Sequence, residues 1–161
     1  MNPQQLFVEK LQALYGAEQQ FIQVLQQNAA EASSAELQQA FQQHLQETQT
    51  QAQRLEQIMQ QLQTPPQPKV KSTVRAMIED AQEMMQRTPA GPLRDTVLIA
   101  AAQDMEHYEM SCYGTVRTMA EVMGQSHAAQ LLEQTLEEEK KTDKLLSQIG
   151  ETIMQQQLQT A

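Results

Sequence analysis

A single cysteine, Cys112, is all the thiol this 161-residue chain contains. An internal disulfide framework is excluded, and such cysteine usage suits a reducing cytoplasm. Cys112 lies on an apolar helical stripe, which reads as a small buried hydrophobe rather than a reactive group. Tryptophan is absent, aromatics are 4% of the chain, and β-branched residues are sparse. Glycine and proline number only five and six, and are read as punctuation between periodic segments. No apolar run approaches the ~20 residues needed to cross a bilayer, so no membrane partner is expected. The start, "MNPQQLFVEK", has no basic stretch followed by an apolar one, so no secretory signal is read there. Positive charge is also scarce. The net charge of −9 repels phosphate backbones, and the basic runs "KVK" and "EKK" are short and lack interleaved aromatics. Nucleic acid is not an expected partner.

Glutamine is what the chain has in abundance, 32 residues in all. The glutamines interleave with a regular apolar period, so they read as uncharged helix surface rather than low complexity. With Ala, Leu, Glu and Met next in number, an all-α fold is expected, in one domain over 1–161.

A first helix is predicted over 3–31, opened by Asn2-Pro3 and striped by Phe7, Leu11, Leu14, Phe21, Ile22, Leu25 and Ala29. A second, over 34–63, starts in the capping box of Ser33 and Glu36 and carries Leu37, Phe41, Leu45, Ala52, Leu55, Met59 and Leu62. "TPPQP" at 64–68 ends it. A short amphipathic helix is expected over 73–87, then a break at "TPAGP", 88–92. The remaining helices are predicted over 93–123 and 127–155, with Gly124 ending one and Ser126 capping the other. The glutamine-rich tail is expected to fray. Two tight connections make antiparallel hairpins of 3–63 and 93–155, and the long 64–92 connector fits a crossover. The expected architecture is a ferritin-like four-helix bundle with a short extra helix in the crossover.

Shifting the first hairpin by 91 residues lays its stripe on the second: Phe7 on Leu98, Leu14 on Met105, Phe41 on Leu132, Leu55 on Leu146. The same shift carries Glu18 onto Glu109, each near the centre of an apolar face. Counted from the turns, Glu18, Glu47, Glu109 and Glu139 lie at one height, with Glu106 and Asp143 a turn away near Tyr15 and Gln51. Several carboxylates in a bundle interior cannot all stay ionised and unpaired, because desolvation and mutual repulsion oppose it. A pair of cations relieves both penalties, and oxygen donors with an imidazole suit Fe or Mn.

The usual dimetal pattern of such bundles includes Glu-x-x-His, which this chain lacks; His44 instead precedes Glu47 by three. Other readings stand beside the ligand reading. Glu18, Glu109 and Glu139 also fit protonated or snorkelling core carboxyls. Glu47 and Glu106 also fit solvated stripe edges, and Asp143 a lysine pair. His44 faces inward, more as a hydrogen-bonded core histidine than as a ligand. His107 points away from the core. Tyr15 either hydrogen-bonds a ligand carboxylate or packs.

The stretches "LYGAEQQ", "HLQETQTQAQRLEQI", "LRDTVLIAAAQDMEHYEMSCYGT" and "LLEQTLEEEKKTDKLL" resemble the YciF-like (YciE/YciF) family of bacterial ferritin-like stress proteins over nearly the whole chain. The resemblance implies the four-helix bundle with its crossover helix, a cytoplasmic stress-associated role and a homodimer. The motif positions that would carry a metal site are Glu18, Glu47, Glu106, Glu109, Glu139 and Asp143, with His44, Tyr15 and Gln51 behind them. The function expected is binding of two Fe or Mn ions, with ferrous-iron oxidation or peroxide disposal as the chemistry. Glu18 and Glu109 would be terminal ligands, Glu47 and Glu139 would bridge or chelate, and Glu106 and Asp143 would complete the shell. The alternative is a non-enzymatic dimeric bundle with a vestigial carboxylate network.

Overall fold

The computed structural model describes residues 1–160, which form five α-helices and no strand. They are α1 (Pro3–Glu31), α2 (Ala35–Gln61), α3 (Ser72–Arg87), α4 (Pro92–Val122) and α5 (Ser126–Thr160). The first begins as its sequence dictates. Asn2 accepts from the Gln5 amide at 2.8 Å, and the Gln5 side chain accepts from the Asn2 amide at 2.9 Å.

The second start differs from the Ser33 box. Ser34 caps α2, its hydroxyl accepting from Leu37 N at 3.4 Å. The Ser33 and Ser34 amides both donate to the carboxylate of Asp95 on α4, at 2.7 and 2.9 Å. This cross-helix brace had no expectation attached to it. At the far end, α5 begins at Ser126 itself and continues to Thr160, so helix extends well past 155 into the glutamine-rich tail.

α1 packs on α2 and α4 on α5, each pair joined by a three-residue turn. Contacts of α1 with α4 and of α2 with α5 join the pairs, while α3 lies on α4 and touches α1. Val74 is the buried residue of α3; Met77, Ile78 and Met85 are partly covered. Three glycines lie inside helices rather than between them. At Gly16 the connector crosses α1 so closely that an added Cβ would stand 2.6 Å from the Lys69 carbonyl carbon. There Lys69 N donates to Gln12 O at 2.9 Å, fixing the connector against the helix.

Two large apolar clusters divide the interior. One gathers Phe7, Leu11, Leu14, Leu55, Ile58, Met59, Val116 and Leu132. The other gathers Leu25, Leu37, Phe41, Leu98, Ile99, Leu146 and Ile149. Full burial stabilises each large side chain by about 1.5–3 kcal/mol. Between the clusters lies a polar layer.

Candidate metal centre

The layer arises because each long helix interrupts its apolar stripe at a matching depth. Glu18 lies between Leu14 and Phe21 on α1, and His44, Thr48 and Gln51 between Phe41 and Leu55 on α2. Glu106 and Glu109 lie between Ala102 and Tyr113 on α4, and Glu139 and Thr142 between Leu136 and Leu146 on α5. All of these polar residues are buried, and Glu18 and Glu139 have no exposed surface (0%).

His44 is the hub. Its Nε2 donates to Glu106 Oε1 at 2.7 Å and stands 3.9 Å from Glu139 Oε2. Its Nδ1 faces outward, 3.4 Å from Thr142 Oγ1 and 3.7 Å from Glu47 Oε2. Among the described residues, His44, Glu106 and Glu139 form a group whose ligand atoms all lie within 4.8 Å of one another. The reading of His44 as a hydrogen-bonded core residue thus captures its bond but not its place among potential ligands.

Within this layer, five buried carboxylate oxygens face no hydrogen-bond donor: Glu18 Oε2, Glu106 Oε2, Glu109 Oε1 and both oxygens of Glu139. The electrostatics follow. Burial pushes the Glu18 carboxyl up to about 8, although the Tyr113 hydroxyl and the His44 charge pull the other way. Burial, then the charges of Glu18, Glu139 and Glu106, hold Glu109 well above the carboxylate range. Glu139 is raised by burial first and then by Glu106 beside it, against the pull of the His44 charge. Burial also works to raise Glu106, but the charge of His44 and the nearness of His44 and Glu139 prevail and lower it. Burial would lower His44; the Glu106 charge overrides it and keeps the imidazole protonated.

The other expected site residues lie elsewhere. Glu47 is half-buried at the edge, where Gln43 Nε2 donates to it at 3.1 Å. Asp143 is turned out of the layer: its Oδ1 accepts from Gln103 Nε2 at 3.0 Å and lies 3.3 Å from His107 Nε2. Tyr15 is also outside, donating to Glu56 Oε1 at 2.5 Å. Gln51 is buried, but its amide donates to Glu138 Oε2 at 3.2 Å. Arg54 clamps the same Glu138 with two bonds, at 2.6 and 2.8 Å. Tyr113 carried no expectation, yet it is fully buried and its hydroxyl donates to Glu18 Oε1. Its position four after Glu109 was the available signal.

Residues 2–159 match the protein family described as "Domain of unknown function (DUF892)". The chain belongs to this family. It is 40% identical over 146 residues to Protein YciF of Escherichia coli K12, covering 90% of this chain and 88% of that protein. The crystal structure of the E. coli stress protein YciF superposes with a TM-score of 0.86 at 37% identity, covering 96% of this chain and 98% of that one. YcfI of Rhodopseudomonas palustris gives 0.88 at 31% identity, covering 91% and 94%. A Xanthomonas campestris protein gives 0.81 at 22%, covering 99% and 98%, a likeness of fold alone.

Proposed function

We propose that this chain is a single-domain, ferritin-like four-helix bundle whose polar layer binds a dinuclear Fe or Mn centre. The observation that carries the reading is the set of five donorless carboxylate oxygens buried between two apolar clusters. Leaving a buried charge uncompensated costs several kcal/mol. Once deprotonated, the four interior carboxylates of Glu18, Glu106, Glu109 and Glu139 would carry the charge that two divalent cations balance. Oxygen donors with one imidazole are the chemistry that Fe and Mn accept.

His44, Glu106 and Glu139 would hold one ion, and Glu18 and Glu109 with the shared carboxylates the other. When bound, the metals supply one-electron redox chemistry, with ferrous iron or a peroxide as the class of substrate. The chain's own residues prepare the site. Tyr113 orients Glu18, the apolar clusters exclude water, and Arg54 keeps Glu138 outside. The protons that Glu18, Glu109 and Glu139 hold in the metal-free chain leave when metal binds. A cytoplasmic stress role and a homodimer are proposed with it, from the description of the E. coli relative as a stress protein and from the family resemblance.

Anaerobic Fe(II) titration with bound metal quantified tests this reading. Saturable uptake of about two ions per chain is expected; no saturable uptake ends it. A second reading is favoured by the Glu139–Glu106–His44 contacts: the layer neutralises itself with protons, and the chain acts as a non-enzymatic dimeric bundle. Melts unchanged by Fe, Mn and Zn would support that one.

A further inference from the structure

The polar layer is latched along the α4–α5 seam and along one stretch of the α2–α5 seam, and the α2–α5 seam opens farther along. Between α2 and α5, the Arg54–Glu138 pair and the Arg54 bond to Thr135 at 3.1 Å latch one stretch. Between α4 and α5, Gln103, Asp143 and His107 latch another. Farther along the α2–α5 seam a cleft of about 230 Å³ lies open, lined by Ala40, Gln43, Glu47, Lys141, Thr142 and Leu145, with His44 at its floor. The His44 ring is the partition between this cleft and the interior. Nδ1 faces Glu47 and Thr142, while Nε2 faces Glu106 and Glu139.

Resting on the metal reading above, we infer that this cleft is the route by which a divalent cation reaches the interior carboxylates, with Glu47 as the capturing group and the His44 ring as the partition it passes. Glu47 is placed for capture rather than for permanent ligation. Its side chain is 32% exposed, and it stands on the far side of the imidazole from Glu106 and Glu139. An exposed carboxylate at the mouth of a cleft concentrates cations and speeds their arrival. Lys141 lines the same mouth and its charge reaches Glu47, so it opposes cation arrival and sets the rate from the other side. The ring has only to turn aside about its side-chain bonds for an ion to pass from Glu47 to Glu106, a small motion beside any helix movement.

The test is stopped-flow loading of the full metal-free chain with Co(II), read by visible absorption, with bound metal counted at the end point. Glu47→Gln is expected to slow loading about tenfold with the final number of ions unchanged. Leu145→Trp, which narrows the cleft without touching a carboxylate, should slow it similarly, and Lys141→Gln should speed it. Wild-type rates in both Glu47→Gln and Leu145→Trp overturn the route. A reduced end point in Glu47→Gln also overturns it, because Glu47 is then a ligand. A wild-type chain that takes up no Co(II) overturns the metal reading itself and the route with it.

Discussion

Tyr113 on α4 donates its phenolic hydrogen to Glu18 on α1, joining the two helices inside a layer with no exposed surface at either residue (0%). The bond favours the ionised carboxylate, which burial opposes. Tyr113→Phe removes the donor and leaves both Glu18 oxygens bare. Urea unfolding should show a loss of about 1–3 kcal/mol, larger where Glu18 is ionised. The Glu18 carboxyl should rise above its present value of about 8. An unchanged unfolding midpoint would remove Tyr113 from the site.

The metal-free chain should lose stability as pH rises. Glu18 moves from 4.5 to about 8 on folding, and Glu109 and Glu139 move the same way. Between those limits the native state holds more protons than the unfolded one, so unfolding free energy falls with pH. His44 acts in the same sense, its contribution complete below 6.5 and lost as pH climbs through its raised value. Glu47 and Glu106 are lowered, so their contribution is lost only under acid conditions below 4.5. Melting temperatures in chelator should therefore decline from pH 4.5 towards about 8. A flat or rising profile contradicts the burial on which the site rests.

Asp95 ties α4 to the α1–α2 turn. Its two oxygens accept from Ser33 and Ser34, and it is 1% exposed. Asp95→Ala leaves two backbone donors without this partner. A loss of about 1–3 kcal/mol in urea unfolding is expected, beyond that of a simple cap. A loss within error would show that water serves those amides equally well.

Helical periodicity carried most of what is seen here, because it places whole faces rather than single atoms. Glu18, Glu109 and Glu139 interrupt apolar stripes, and an interrupted stripe is visible in one dimension. Asp143 fails on rotation: four residues past Glu139 turns it ~40° beyond the inward direction at 3.6 residues per turn, and it meets Gln103 on α4 instead. Tyr113 was hidden by its neighbour, since a stripe drawn through Cys112 looks equally regular. Cys112 is half-buried and Tyr113 fully so. The Asp95 brace and the His44–Glu106 bond are pairings between helices, and no single helix's spacing contains them.

Two glycines that look alike in sequence should respond oppositely to alanine. At Gly16 a Cβ would fall 2.6 Å from the Lys69 backbone, and backbone cannot step aside cheaply. Gly16→Ala should destabilise by about 1–3 kcal/mol, outweighing the gain in helix propensity. At Gly114 nothing lies within 4 Å of the added carbon. Gly114→Ala should stabilise by up to about 1 kcal/mol. Equal effects in thermal melts would mean that the connector is not held against α1.

Glu139 and Asp143 separate the metal reading from the proton-network reading by the sign of an effect. Burial pushes Glu139 towards its protonated form, and glutamine has nearly the shape of a protonated glutamate. Without metal, Glu139→Gln should therefore be neutral or stabilising, most clearly at alkaline pH, where the wild-type carboxyl is pressed to ionise. With Fe(II) or Mn(II) present the order should reverse. A metal at 100 times its Kd adds about 2.7 kcal/mol to the wild type, and the amide forfeits that gain. Asp143→Asn lies outside the layer and should keep the full metal-induced rise. A Glu139→Gln chain that still melts higher with metal, or an Asp143→Asn chain that does not, would place the centre elsewhere, because the first would bind without a fully buried carboxylate of the layer and the second would need one that faces His107.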